Sequence, residues 1–279
     1  MLRRWQIKPQ QTELSQKLAA LLPAFFDAVI AETRPLIHQY VKQGFDIETK
    51  ADDSPVTIAD RETERAIRTL IETNFSDHKI IGEEFGYGDA SQSDNLGEGY
   101  CWVIDPIDGT RAFVAGKPTF GSLLGLCYNG VPLAGMIDMP MLDSCYTGIL
   151  GPEPVARLNG NPISVRTDIP LAKAAIATTS PEAFNADGWA SYRPFSQTCG
   201  NQLYGGDCHN YALLAAGHID LVIEHGLAVH DVMALVPVIQ AAGGVATDWS
   251  GKPLHLGSSD EIIAAGSAEL HQAALQAFQ

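Results

Sequence analysis

Basic residues are scarce in this chain. Eighteen Lys and Arg stand against 33 Asp and Glu in 279 residues, a formal net charge of −15. Such a balance argues against nucleic acid or an anionic membrane as a direct partner and suits a protein that loads divalent cations. Cysteine is also sparse. Cys101, Cys127, Cys145, Cys199 and Cys208 are odd in number and form no Cys-x-x-Cys pair, so reduced, buried thiols are expected rather than disulfides. Long apolar runs are missing: the most apolar stretch, Leu18 to Ala31, contains Pro23 and Asp27 and is too short to span a bilayer. The basic start, Met1-Leu2-Arg3-Arg4-Trp5, is not followed by an apolar core and a cleavage site, and the expected location is cytoplasmic. No repeat, low-complexity segment, Gly-x-Gly-x-x-Gly turn, P-loop, Gly-x-Ser-x-Gly elbow or His-Glu-x-x-His helix occurs.

What is present reads as a globular chain. Hydrophobic residues make up 46% of it, enough for a core that needs no staple at this length. Residues 1–10 read as a loose arm, 11–145 as an N-terminal half and 146–279 as a C-terminal half. The pattern is helical from about Gln11 to Phe45, with Pro23 and Pro35 each expected to start or kink a helix. Residues 46–58 read as a loop or hairpin around Asp52-Asp53-Ser54-Pro55. An amphipathic helix follows, with Ala66, Ile67, Leu70 and Ile71 on one face. Ser122–Tyr128, Asn129-Gly130 and Val131–Ile137 form a strong hairpin pattern. In the second half, strands are expected at 174–179, 221–224 and 262–265. Helices are expected at 211–216, at 232–242 with Pro237 inside, and at 269–278. Strands and helices mix without strict alternation, which points to an α+β layered fold.

Four segments carry the chemistry. In Trp102-Val103-Ile104-Asp105-Pro106-Ile107-Asp108-Gly109-Thr110 an apolar strand is expected to end at Asp105, with Pro106 turning the chain. Asp105 and Asp108 offer hard oxygens for divalent cations, and the Ile107 carbonyl offers another. Gly109 and Thr110 present backbone N–H groups where a phosphate binds at a helix start. Taken alone, the segment also reads as an Asp-rich turn. Ile80-Ile81-Gly82-Glu83-Glu84 is a second apolar run ending in carboxylates, or a solvated acidic loop. Thr57 and Asp60 fit a capping box, compatible with an Asp60 carboxylate that faces the site. His230-Asp231 opens a helix, where Asp231 reads either as an N-cap or as a further ligand. An all-carboxylate set suits magnesium, so a packing or substrate role is favoured for His230. Gly205-Gly206-Asp207-Cys208 allows close backbone approach, and Asp207 reads as an N-cap or a substrate contact. Only Cys208, followed by His209, has a base beside it in sequence, and a nucleophilic thiol is not favoured.

Together these segments resemble the inositol monophosphatase superfamily of magnesium-dependent, lithium-sensitive phosphomonoesterases. The Ser54-Pro55-Val56-Thr57-Ile58-Ala59-Asp60 loop, Gly82-Glu83-Glu84, Trp102 to Thr110, and Asp231-Val232-Met233-Ala234 leading to Ala242-Gly243-Gly244 occur in that family's order. The resemblance implies a layered α/β/α/β/α sandwich, usually a homodimer. It implies that Glu83, Asp105, the Ile107 carbonyl, Asp108 and Asp231 hold two or three magnesium ions, with manganese as an alternative and lithium and calcium as inhibitors. It further implies that Thr110 and Asp60 orient the attacking water, with Glu83 part of the same catalytic set. The backbone amides of Gly109 and Thr110 would hold phosphate, and Lys50 would sit on a mobile loop near the metals. Tyr204 to Cys208, Ala215 to Glu224, and Ala234-Leu235-Val236-Pro237 are similar to the histidinol-phosphatase branch. His230 stands where that branch usually has an aromatic residue.

The substrate expected from this resemblance is a small phosphate ester, L-histidinol phosphate first. The carboxylates of Asp207 and Glu224, outside the metal set, would favour its cationic groups, with Gly205 beside them. An inositol 1-phosphate or broader sugar-phosphate phosphatase is the alternative; fructose bisphosphate and nucleotide phosphatases rank lower. A non-catalytic regulator has no use for mutually repelling carboxylates. A calcium-binding module of the EF-hand kind lacks its loop.

Overall fold

The computed structural model describes residues 9–44, 47–49, 55–87, 98–258 and 260–278. The first half runs α1 (Pro9–Gln43), β1 (Ile47–Thr49), β2 (Pro55–Thr57), α2 (Ile58–Asn74), β3 (Lys79–Gly82), β4 (Tyr100–Asp108), α3 (Thr110–Val114), β5 (Gly121–Tyr128), β6 (Val131–Met139), β7 (Ser144–Ile149), β8 (Val155–Leu158) and β9 (Asn161–Ile163). The second runs β10 (Ala175–Thr178), α4 (Ala186–Ser196), β11 (Asn201–Tyr204), α5 (Cys208–Ala215), β12 (Leu221–His225), α6 (Val229–Val232), α7 (Leu235–Ala241), β13 (Val245–Thr247), β14 (Glu261–Ala265) and α8 (Ala268–Ala277).

Alternation along the strands sets the layers. Trp102 and Ile104 of β4 face Leu22, Phe25, Phe26 and Val29 of α1 and Ile67 and Ile71 of α2. Cys101 and Val103 face the opposite way, towards Tyr211 and Leu214 of α5 and Leu235 and Ile239 of α7. Those helices also cover Ala177, Val222 and Ile262 of a second sheet. The far face of that sheet packs Ile176, Leu221 and Ile263 on Tyr192 of α4 and Leu270 of α8. The result is a helix–sheet–helix–sheet–helix stack, the α+β sandwich expected. The larger sheet has the order β3-β4-β5-β6-β7-β8-β9 and continues past residue 146 to Ile163. The smaller has the order β11-β10-β12-β14-β13.

The turn Asn129-Gly130 joins β5 and β6 as the sequence indicates, both residues with positive φ (50° and 77°). Gly125, Gly135 and Gly148 lie side by side on β5, β6 and β7. A side chain on any of them would collide with the backbone of residues 233–238, at 2.8 Å from Met233 for Gly125. This glycine row lets the segment after Asp231 lie directly on the sheet.

Three local expectations are corrected. α1 begins at Pro9, and neither Pro23 nor Pro35 starts a new helix, since both lie inside it. Buried Leu22, Phe25, Phe26, Val29 and Ile37 anchor it on both sides of each proline, so tertiary packing outweighs the lost N–H bonds. The helix expected at 232–242 is two short helices, α6 and α7, separated at Met233-Ala234. Pro237 has no N–H for the Met233 carbonyl and crowds it, so it is accommodated only in the first turn of α7. Finally, β4 does not end at Asp105 but continues through Pro106 to Asp108.

Candidate active site

The continuation of β4 is a β-bulge. Asp105 pairs with Leu123 and Asp108 with Gly121, three steps on one strand against two on the other. Proline has no ladder N–H to lose, and bulges re-aim side chains at sheet rims. Buried Ser122 donates its hydroxyl to the Pro106 carbonyl at 2.7 Å, and the Ile107 N–H donates to Asp105 Oδ1 at 3.1 Å. The Ile107 side chain is buried among Ile37, Ala59, Phe113 and Phe120. Its carbonyl accepts the Thr110 hydroxyl at 3.1 Å.

Strand register brings the other carboxylates to this rim. β3 runs parallel to β4 with Gly82 opposite Ile104, and the Glu83 N–H donates to the Ile104 carbonyl at 3.1 Å. Glu83 therefore leaves β3 beside Asp105. Asp108 accepts the Cys208 N–H at 2.7 Å, which ties the rim to the start of α5. Asp231 is not an N-cap. It is the third residue of α6 and accepts the Ala228 N–H at 2.7 Å. Thr57 and Asp60 form the expected capping box of α2. Asp60 Oδ2 accepts the Thr57 N–H and hydroxyl at 2.8 and 2.7 Å, and Oδ1 lies 3.5 Å from the Thr110 hydroxyl.

Asp105, Asp108 and Asp231 each bring a ligand oxygen within 4.8 Å of the others, and Asp105 forms a second such group with Glu83 and His230. Asp105 is common to both. Burial pushes its carboxyl well above the ordinary range, and the charges of Glu83, Asp108 and Asp231 push it further. Asp108 is raised by burial, then by Asp231 and Asp207. A buried, mutually repelling set of hard oxygens fits a divalent cation, which relieves both penalties. His230 Nε2 lies 3.6 Å from Asp231 Oδ1. Sequence reasoning favoured packing or substrate contact for this residue, whereas the fold puts its ring among the carboxylates. No spacing rule signalled that, because His230 meets Glu83 and Asp105 only in three dimensions.

A cleft of about 210 Å³ opens beside this rim, lined by Asp108, Arg111, Ser180, Asp207, Tyr211, Glu224, His225 and Asp231 among others. A larger groove of about 770 Å³ lies between α1 and the β7–β8 region and includes none of these residues. Buried Glu224 accepts the Thr179 N–H at 2.7 Å and the Tyr211 hydroxyl at 2.8 Å, and burial raises its carboxyl to about 7. Asp207 occupies the N-cap position of α5 but makes no side-chain cap bond. Its backbone is left-handed in φ (48°) with ψ −139°, a costly conformation of the kind held at functional sites. Its carboxyl is raised by burial, against the Lys117 charge. It also lies against Gly109, φ 80°, where a Cβ would fall 2.8 Å from Asp207 Cγ. Gly205 does not reach the cleft. Its N–H bonds the Thr178 and Thr179 carbonyls and its own carbonyl accepts from Asn210, which shapes the turn leading to Asp207. Lys50 lies outside the described residues. All five cysteines are buried thiols, and burial pushes Cys208 at the cleft far up, against a thiolate nucleophile.

Comparison with known proteins agrees with this geometry. The model of the inositol monophosphatase family matches residues 18–279. A bifunctional phosphatase of Arabidopsis thaliana, IMPL2, described as chloroplastic, is 41% identical over 275 residues, covering 96% of this chain and 78% of that protein. A histidinol-phosphatase of Chlorobaculum parvum is 33% identical over 214 residues, 76% of this chain and 79% of that one. The solved structure of an inositol monophosphatase from Zymomonas mobilis superposes with a TM-score of 0.81 at 38% identity, covering 93% of this chain and 98% of its own.

Proposed function

The chain belongs to the inositol monophosphatase family and is a phosphoric monoester hydrolase, and from that premise we propose that it hydrolyses the phosphate ester of a small cationic alcohol, L-histidinol phosphate, with magnesium. The observation that carries this reading is the pair of ligand groups sharing Asp105, opening on a cleft that adds two further carboxylates, Asp207 and Glu224. Glu83, Asp105, the Ile107 carbonyl, Asp108 and Asp231 would hold the ions. Bound there, magnesium supplies Lewis acidity towards the phosphate and lowers the pKa of water.

The protein's own groups do the rest. Asp60 has one oxygen occupied by Thr57 and the other directed at Thr110. The Thr110 hydroxyl donates its proton to the Ile107 carbonyl at 3.1 Å and keeps its lone pairs to orient a water, with Asp60 Oδ1, 3.5 Å away, as the base beside it. The N–H groups of Gly109 and Thr110, at the opening of α3, bind phosphate oxygens. Asp207 and Glu224 receive the ammonium and imidazole of the alcohol. The name of the Chlorobaculum parvum relative supports this substrate.

A second reading, inositol 1-phosphate, has its own support. The Zymomonas mobilis relative is named an inositol monophosphatase, and Glu224 can accept hydroxyls as well as cations. Among the described residues no helix is long and apolar enough to cross a membrane; a cytoplasmic homodimer remains the proposed form.

The test is phosphate release from L-histidinol phosphate and inositol 1-phosphate, with magnesium and with chelator. The expected result is magnesium-dependent release with kcat/KM at least tenfold higher for histidinol phosphate, about 1.4 kcal/mol of transition-state preference. Preference for inositol phosphate discards the cationic substrate and leaves the metal site standing.

A further inference from the structure

α2 presents a second carboxylate four residues beyond Asp60, on the same helix face. Glu64 is fully buried, and all its partners lie in one small region. Oε2 accepts the Glu84 N–H at 2.7 Å, and Oε1 accepts the Phe85 N–H at 3.3 Å and Arg68 Nε at 2.7 Å. Arg68 donates its other branch to the Gly86 carbonyl at 2.5 Å, and that residue closes the turn by accepting the Gly82 N–H at 2.9 Å. Gly82 has no side chain because Glu64 occupies that space. Two more residues of α2 touch the same turn: Arg61 lies 3.9 Å from the Glu84 carboxylate, and the Arg65 guanidinium lies 4.8 Å above the Phe85 ring.

Every one of these contacts fixes residues 82–86, and Glu83 is in the middle of them. A buried charge is costly unless fully paired, yet this one is bonded to backbone N–H groups of a turn rather than placed to fill a core. We propose that Glu64 is a positioning residue: with Arg68 as its counter-charge, it clamps the turn that aims Glu83 at Asp105. This rests on the proposed role of Glu83 as a metal ligand. The helix then connects the two sides of the site rigidly, since Asp60 and Glu64 are one turn, about 6 Å, apart along it.

The test is titration calorimetry of the full chain with Mn²⁺, with thermal melting alongside. Glu83→Gln, Glu64→Gln, Glu64→Asp and Ile67→Ala are compared with the parent. Both Glu64 variants are expected to weaken Mn²⁺ binding about tenfold or more, the usual effect of removing a group that orients a metal ligand. Ile67→Ala, which opens the core on the same helix, is expected to lower the melting temperature without changing Mn²⁺ affinity. Glu64→Asp keeps the charge beside Arg68 while withdrawing it from the turn, so it decides the matter if Glu64→Gln does not fold. Unchanged affinity in Glu64→Asp, with affinity lost in Glu83→Gln, overturns the clamp alone. Unchanged affinity in Glu83→Gln removes the ligand assignment and the clamp with it.

Discussion

Replacing Asp105 with asparagine is expected to lower kcat about a thousandfold or more, roughly 4 kcal/mol of transition-state stabilisation, while leaving the fold intact. The substitution preserves volume, and an asparagine oxygen can still accept the Ile107 N–H that Asp105 accepts at 3.1 Å. What it removes is the charge common to both ligand groups. Because Asp105 is strained by burial and by three neighbouring carboxylates, the metal-free variant is expected to melt at or above the temperature of the metal-free parent. Magnesium is expected to stabilise the parent by binding its folded form and to lose most of that effect on the variant. Steady-state kinetics with melting curves in magnesium and in chelator check both halves. Near-normal turnover contradicts the assignment, and so does a lower melting temperature of the variant in chelator.

Asp207→Asn is expected to act on selectivity. Asparagine is nearly the same size and tolerates the positive φ of this position better than most residues. The backbone and the packing against Gly109 should therefore survive, and only the charge facing the cleft is lost. A hydrogen bond to a charged partner is worth roughly 1.5–3 kcal/mol, so kcat/KM for L-histidinol phosphate should fall about tenfold to a hundredfold. Inositol 1-phosphate carries no cation for Asp207 to meet, and its kcat/KM should change by less than about threefold. Parallel kinetics on the two esters give the ratio. An equal loss on both means that Asp207 supports the neighbouring Asp108 rather than recognising the alcohol.

Local chemistry is what the sequence makes legible. The capping box at Thr57 and Asp60, the Asn-Gly hairpin between β5 and β6, and the apolar runs that lead into Glu83 and Asp105 all depend on residues a few positions apart. The order of the acidic motifs then points to one family and to its layered fold. The features that escaped are those decided by partners distant in sequence. α1 passes through two prolines because strands distant in sequence bury its face. β4 continues past Asp105 because β5 offers Gly121 and Ser122 to a bulge. His230 reads as a packing or substrate residue because neither of its neighbours across the rim, Glu83 and Asp105, is near it in the chain. Nothing in the sequence singles out Glu64; only the fold shows it buried against a turn twenty residues on. Gly205, conversely, suggested a ligand contact by composition, and the structure uses its N–H within the chain.

Carboxylates from three separate segments are proposed to form one divalent-cation site centred on Asp105, with Ile107 contributing its carbonyl. This is tested most directly by soaking crystals of the protein in Mn²⁺ and measuring anomalous scattering at the manganese edge. Anomalous peaks are expected among Glu83, Asp105, Asp108 and Asp231, with Asp105 in contact with each ion when two are bound. A map with no peak at this rim, or with manganese only elsewhere on the protein, would contradict it.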